Sequence, residues 1–134
     1  MLFKRVMATN NAGLPQVSRQ GVGMLDNISV VEKTTDANHA ITVAEMGGGC
    51  IYYSALSAGR TVTTPTAALI LAACPDMDIG DSFSFWVAIQ DAFAITWAAG
   101  TGVTLKGRTT TAASSSSMIV VTKTAAATVD WYVL

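Results

Sequence analysis

The stretch that decides the fold reads SFSFWVAIQDAFAITW and runs from Ser82 to Trp97. In its first half, every second residue is apolar, and most of the residues between them are small or carry a hydroxyl group. The apolar residues are Phe83, Phe85, Val87 and Ile89. Alternation with a period of two indicates a strand with one buried face. The second half, from Phe93 to Trp97, repeats the alternation, so the stretch predicts a β-hairpin.

Trp86 breaks this pattern, because it is a large aromatic residue on the side of the strand opposite to the apolar residues. Such a residue either contacts a second sheet or anchors an interface, and we predict that Trp86 lies at a subunit interface. Trp97 and Trp131 instead share the apolar phase of their strands. They are predicted to lie in the core, in preference to a sugar-binding platform with Tyr52 and Tyr53.

Short strands are predicted on both sides of this stretch, separated by glycine, serine and alanine segments. They are residues 41–44, 51–53, 60–64, 103–105, 109–111, 118–121 and 129–133. One helix is predicted, over Ala67 to Ala73, with Thr66 as its N-cap. Short strands at this regular spacing indicate an all-β protein. We predict a jelly-roll-like antiparallel β-sandwich with one short helix and an extended N-terminal arm.

The chain is divided into two parts by its composition. Residues 1–25 contain Asn10, Asn11 and several glycines, and no acidic residue occurs before Asp26. We predict an extended basic arm over residues 1–25 and a β-sandwich domain over residues 26–134.

The overall composition restricts the partners. With a net charge of -1 and 13% charged residues, the chain lacks the basic field that a nucleic-acid partner requires. Its longest strongly apolar run, Ala67 to Cys74, is far shorter than the ~20 residues of a membrane span, and no secretory signal is recognisable at the N-terminus. The hydrophobic fraction of 51% exceeds what one small core hides, so we predict a homo-oligomer.

Residue types with catalytic or metal-binding chemistry are few. His39 is the single histidine, and a hydrogen-bonded turn or strand-edge residue is the preferred interpretation over a catalytic one. The acidic residues Asp76, Asp78 and Asp81 fit a solvated turn better than a weak cation site, because the spacing of a calcium loop is missing. Cys50 and Cys74 are interpreted as small buried hydrophobes rather than a disulfide. We therefore predict no enzyme activity, no metal and no cofactor.

Three segments and the C-terminus resemble a module that recurs in bacteriophage virion proteins. They are TPTAALILAA at residues 64–73, IGDSFSF at residues 79–85, AAGTGVTLKG at residues 98–107 and VDWYVL at residues 129–134. They occur in the order of that module, and the resemblance covers roughly residues 60 to 134. In it, Gly80 is expected to permit a close approach, and Gly100 and Gly102 to supply positive φ angles.

This resemblance implies a capsid decoration or cement protein on the outer surface of the virion, assembled in the bacterial cytoplasm. Its partners would be the major capsid protein and further copies of itself, with a trimer preferred and a dimer possible. We expect the arm to dock on the capsid through its basic and apolar residues. They are Leu2, Phe3, Lys4, Arg5, Val6 and Arg19. The alternative is a receptor- or carbohydrate-binding module of a head or tail fibre.

Overall fold

The computed structural model describes residues 28–134, which form ten strands and two short helices. The elements are β1 (Ser29–Lys33), β2 (His39–Ala40), α1 (Val43–Met46), β3 (Gly49–Tyr53), β4 (Arg60–Thr63), α2 (Ala67–Ala73), β5 (Ser82–Ile89), β6 (Ile95–Ala98), β7 (Val103–Gly107), β8 (Thr110–Thr111), β9 (Ser116–Ala125) and β10 (Thr128–Val133). The predicted all-β class is confirmed. The predicted arm, residues 1–25, lies outside the described residues.

The strands form two sheets. One has six strands in the order β1-β3-β5-β9-β10-β7, and the other has four in the order β2-β4-β6-β8. From β1 to β6, successive strands lie alternately in the two sheets. Each strand from β3 onward therefore pairs in parallel with the strand two positions before it in the chain. Five pairings are parallel and three are antiparallel. The predicted antiparallel order is therefore wrong, and the jelly-roll arrangement is not confirmed.

The predicted hairpin of β5 and β6 is also wrong. β5 pairs with β3 and β9, whereas β6 pairs with β4 and β8 in the other sheet. The segment between them carries the chain from one sheet to the other, and Asp91 ties it down by accepting a hydrogen bond from the Leu56 N–H at 2.8 Å. The alternation is nevertheless as predicted for β5 and for Ile95 and Trp97 of β6, which bury one face. Phe93, predicted on the same apolar face, lies before β6 and is 39% exposed.

The core lies between the two sheets and is filled by the inward residues of both. Trp97 of the four-stranded sheet packs against Trp131 of the six-stranded sheet, with ring centroids 5.6 Å apart, and Phe85 meets Trp131 edge-on. Both tryptophans are buried, as predicted. Aromatic pairs of this geometry stabilise beyond the area that they bury, so these rings join the two sheets.

Both helices have a threonine as their N-cap residue. Thr66 caps α2 as predicted, because its hydroxyl accepts the Leu69 N–H. The predicted strand at residues 41–44 is wrong, since α1 begins there. Thr42 and Glu45 form a capping box at its N-terminus, which stabilises the helical turn over the extended form.

Candidate functional site

The outer face of the six-stranded sheet carries Trp86, the residue predicted at a subunit interface. The outer face is the side turned away from the four-stranded sheet. Trp86 is 48% exposed, while Phe85 and Val87 on either side of it are buried in the core. The position of Trp86 opposite to the apolar face of β5 is thus as predicted.

Strand register places Trp86 in the middle of an apolar row that crosses the sheet. Cys50 pairs with Val30 on one side and with Trp86 on the other, and Trp86 pairs with Met118. Leu134 extends the row, because its N–H donates to the Met118 carbonyl at 3.0 Å. We call these five residues the apolar row. Val30 and Leu134, at its two ends, are 62% and 52% exposed.

The surroundings of the apolar row are polar but contain few charges. Among the outward positions of the six strands, the charged residues are Glu32 on β1, Lys106 on β7 and Asp130 on β10. Glu32 accepts a hydrogen bond from Ser54, and Lys106 pairs with Asp130 at 3.1 Å. The hydrogen bond to Asp130 raises the pKa of Lys106. The charges therefore lie toward the sides of the face and leave its centre apolar.

Cys50 and Cys74 differ in their environments. Cys74 is buried, as predicted, whereas Cys50 is half-buried in the apolar row, and the two cysteines do not form a disulfide. Burial raises the pKa of Cys50, which disfavours the reactive thiolate. The prediction of two buried cysteines is thus confirmed for Cys74 alone.

His39 joins the two sheets through hydrogen bonds. Its Nδ1 lies 2.8 Å from the Ala37 carbonyl and its Nε2 lies 2.7 Å from the Tyr53 hydroxyl. A carbonyl can only accept, so Nδ1 carries the proton and Nε2 accepts from Tyr53. Burial, followed by the negative charge of Glu45, raises the pKa of Tyr53 and keeps it a donor. His39 is thus a hydrogen-bonded residue of the edge strand β2, as predicted.

Two ion pairs hold the loops near β1. Lys33 pairs with Glu45 at 2.5 Å; burial opposes ionisation of Glu45, but its hydrogen bonds from Lys33 and Thr42 prevail and lower its pKa. Asp36 accepts from the Ser57 hydroxyl, the Ser57 N–H and Arg60, which together lower its pKa to about 2.

The acidic residues between α2 and β5 form a turn. Asp81 accepts the Asp78 N–H at 2.9 Å through its side chain, in keeping with the turn that was predicted there. Within residues 28–134, no group of three His, Cys, Asp or Glu side chains could hold a metal ion. In the same part of the chain, no helix is long and apolar enough to cross a membrane.

A shallow apolar groove of about 680 Å³ lies at the ends of β2, β4 and β6. Several of its polar groups already have partners within the protein. The Thr64 hydroxyl accepts from the Gly100 N–H and donates to the Pro65 carbonyl, and the Thr101 carbonyl accepts from Ala67. The groove therefore offers an incoming ligand mostly apolar contact.

The remaining predicted site residues, Leu2, Phe3, Lys4, Arg5, Val6 and Arg19, lie outside the described residues. Sequence reasoning found Trp86 but missed the rest of the apolar row. Alternation along each strand assigns a face to Met118 or Cys50, but the alignment of these residues with Trp86 depends on pairings between distant strands.

No protein-family model, curated protein or solved structure matches this chain.

Proposed function

We propose that this protein is a structural component of a bacteriophage virion, a decoration or cement protein that bridges neighbouring major capsid subunits. The observation that carries the proposal is the apolar row on the outer face. A contiguous apolar patch on a small soluble domain is typical of an interaction surface. The resemblance of residues 60–134 to a phage virion module supports the choice of partner.

The proposed protein acts as a homo-oligomer on the outer surface of the capsid, after assembly in the host cytoplasm. A trimer is preferred, because decoration proteins of this class commonly occupy local three-fold positions, and a dimer at two-fold positions is the alternative. Trp86 serves the contact between subunits. No catalytic step, metal or cofactor is part of this role.

Attachment to the capsid is assigned to the arm, residues 1–25. Lys4, Arg5 and Arg19 supply positive charge, and Leu2, Phe3 and Val6 supply apolar contacts. Between Arg60 and Lys106 the chain has no basic residue, while four aspartates occur there. The arm and the body thus differ in charge, and attachment is partly electrostatic and partly apolar.

Deletion of residues 1–23 tests this assignment in a pelleting assay with capsids stripped of the protein. The truncated protein should keep its far-UV circular dichroism, because β1 begins at Ser29, but it should no longer pellet with capsids. A triple variant, K4A/R5A/R19A, should lose only part of the binding and become less sensitive to salt. Pelleting of the truncated protein at the level of the full chain would place the docking surface on the β-domain and refute the assignment.

A second candidate function is a receptor- or carbohydrate-binding module of a phage fibre. It is favoured by the aromatic residues on the outer face, where the partly exposed Tyr52 and Tyr132 accompany Trp86. Aromatic rings at the surface stack on sugars as readily as they pack on protein. Specific binding on a glycan array, without binding to capsids, would favour this function over the first.

A further inference from the structure

We infer that the outer face of the six-stranded sheet packs against other copies of this chain, with the apolar row at the centre of the contact. The inference rests on the self-association that the proposed function requires, and it specifies the surface. It does not depend on the capsid. Four observations support it: the continuity of the row, the shape around Trp86, the placement of charge and the size of the face.

The apolar row is continuous across five of the six strands of the sheet. It begins at Val30 on the edge strand β1 and ends at Leu134 beyond β10. Trp86 alone leaves roughly 100 Å² of its surface in contact with water. Exposed Ile28, which precedes β1 and packs over Gly49, widens the patch at that end. Burial of such a patch stabilises a complex by the hydrophobic effect.

The shape around Trp86 is that of a projection beside hollows. On the same face of β5, its neighbours two residues away are Ser84 and Ala88, both small. A face that carries both a large side chain and small ones can fit a copy of itself, because the tryptophan of one copy fills the hollow of the next. Central tryptophans seated in this way contribute much of the binding free energy in protein interfaces.

The placement of charge permits two copies to approach. The charged residues Glu32, Lys106 and Asp130 sum to a single negative charge, and two of them form an ion pair with each other. Like-charge repulsion between copies is therefore small. Depletion of charge at the centre, together with tryptophan, tyrosine and methionine, is the composition of an interface core.

The face has the dimensions of an interface. Six strands spaced by about 4.8 Å make it roughly 24 Å wide, and the eight residues of β5 make it roughly 26 Å long. The resulting flat area of roughly 600 Å² approaches the ~800 Å² that each partner buries in a stable complex. Sheets pack face to face in this way inside sandwich proteins, so a contact between copies repeats a familiar geometry.

The first test is the mass of the full-length protein by size-exclusion chromatography with light scattering. The wild type should be an oligomer, and Trp86→Glu should have the mass of a single chain at the same concentration. Ile79→Glu is the matched control, because Ile79 is 67% exposed in the turn before β5, outside the sheet, and it should remain an oligomer. Both variants should keep the far-UV circular dichroism of the wild type.

The second test follows alkylation of Cys50 by iodoacetamide, and it identifies what covers the row. Cys74 is buried, so Cys50 should be the thiol modified under native conditions. If other copies of the chain cover the apolar row, Cys50 should be modified slowly at high protein concentration. It should be modified several-fold faster on dilution or in Trp86→Glu. Mass spectrometry of the modified peptide confirms the position.

Three outcomes would overturn the inference. A monomer whose Cys50 reacts slowly at every concentration would mean that the same chain covers its own row. A monomer whose Cys50 reacts quickly would mean that the row is open or awaits a different protein. An oligomer that survives Trp86→Glu would place the contact elsewhere. By contrast, an oligomer built through this face that fails to bind capsids would refute the proposed function alone.

Discussion

Replacement of Gly100 by alanine should destabilise the protein through a clash with the backbone. A Cβ atom at this position would lie 2.7 Å from the Thr64 carbonyl oxygen and 2.8 Å from the Pro65 carbonyl oxygen. The neighbouring backbone cannot move freely, because hydrogen bonds join Thr64 to both Gly100 and Ala98 and join Ala67 to Thr101. Overpacking costs about 1–3 kcal/mol, weakening of the hydrogen bond to Thr64 adds about 1 kcal/mol, and the loss of chain entropy in the unfolded state offsets about 0.4–1 kcal/mol. We expect a net loss of about 2 kcal/mol.

Gly80→Ala is the matched control, because it changes the same atoms without a clash. Gly80 has a φ of 97° and no atom within 4 Å of the added Cβ, so only the left-handed conformation opposes the change, by about 1–2 kcal/mol before the same entropic offset. Urea unfolding at one fixed protein concentration should show Gly100→Ala as the less stable variant by about 1 kcal/mol, and its melting temperature should be lower than that of Gly80→Ala by roughly 3–6 °C. If Gly100→Ala were as stable as Gly80→Ala or more so, the close approach at Gly100 would be relieved at no cost and the reasoning would be wrong.

Two further predictions concern polar contacts. Thr111→Val should destabilise the protein by about 1–3 kcal/mol in urea unfolding, because the buried Thr111 hydroxyl accepts the Trp97 indole N–H and donates to Ser117, both at 3.0 Å. The control, Thr110→Val, replaces an exposed threonine and should change stability by less than about 0.5 kcal/mol. Equal effects of the two substitutions would contradict this assignment. Because the pKa of Asp36 is lowered from 3.8 to about 2, its ionised form stabilises the fold above pH 4, and this contribution is lost as the pH falls toward 2. Acid titration of stability should therefore be shallower in Asp36→Asn between pH 4 and pH 2, and parallel curves would refute the link.

The regular period of two within each strand made the buried and exposed faces predictable, but not which strands pair with each other. The buried face of β5 and the outward position of Trp86 followed from alternation alone, which depends on local geometry. The wrong hairpin has a different origin, because alternation says nothing about which sheet the next strand joins. Pairing of Val31 with Ile51, and of Ile51 with Val87, depends on contacts between residues far apart in the chain.

Local signals account for the other differences. The capping box at Thr42 and Glu45 was readable as a T-x-x-E pattern, yet the alternation of Ile41 and Val43 suggested a strand. The roles expected for two glycines were exchanged: Gly80 has the positive φ, and Gly100 has the close approach. Gly102 has the positive φ that was predicted. A glycine in the sequence indicates that a side chain is excluded but does not say whether geometry or space excludes it.

The alternation of the chain between two sheets has a consequence for the order of folding during synthesis. β5 lies in the middle of the six-stranded sheet and pairs with β9, so that Ser82 meets Thr122, forty residues later. β9 in turn pairs with β10, the last strand, across a tight turn. Local pairs close sooner than distant ones, so the β9–β10 hairpin forms readily, but it can do so only when residues 116–133 have left the ribosome. The centre of the sheet is therefore completed only after β9 has been synthesised, and the nascent chain must keep its earlier apolar strands from associating until then.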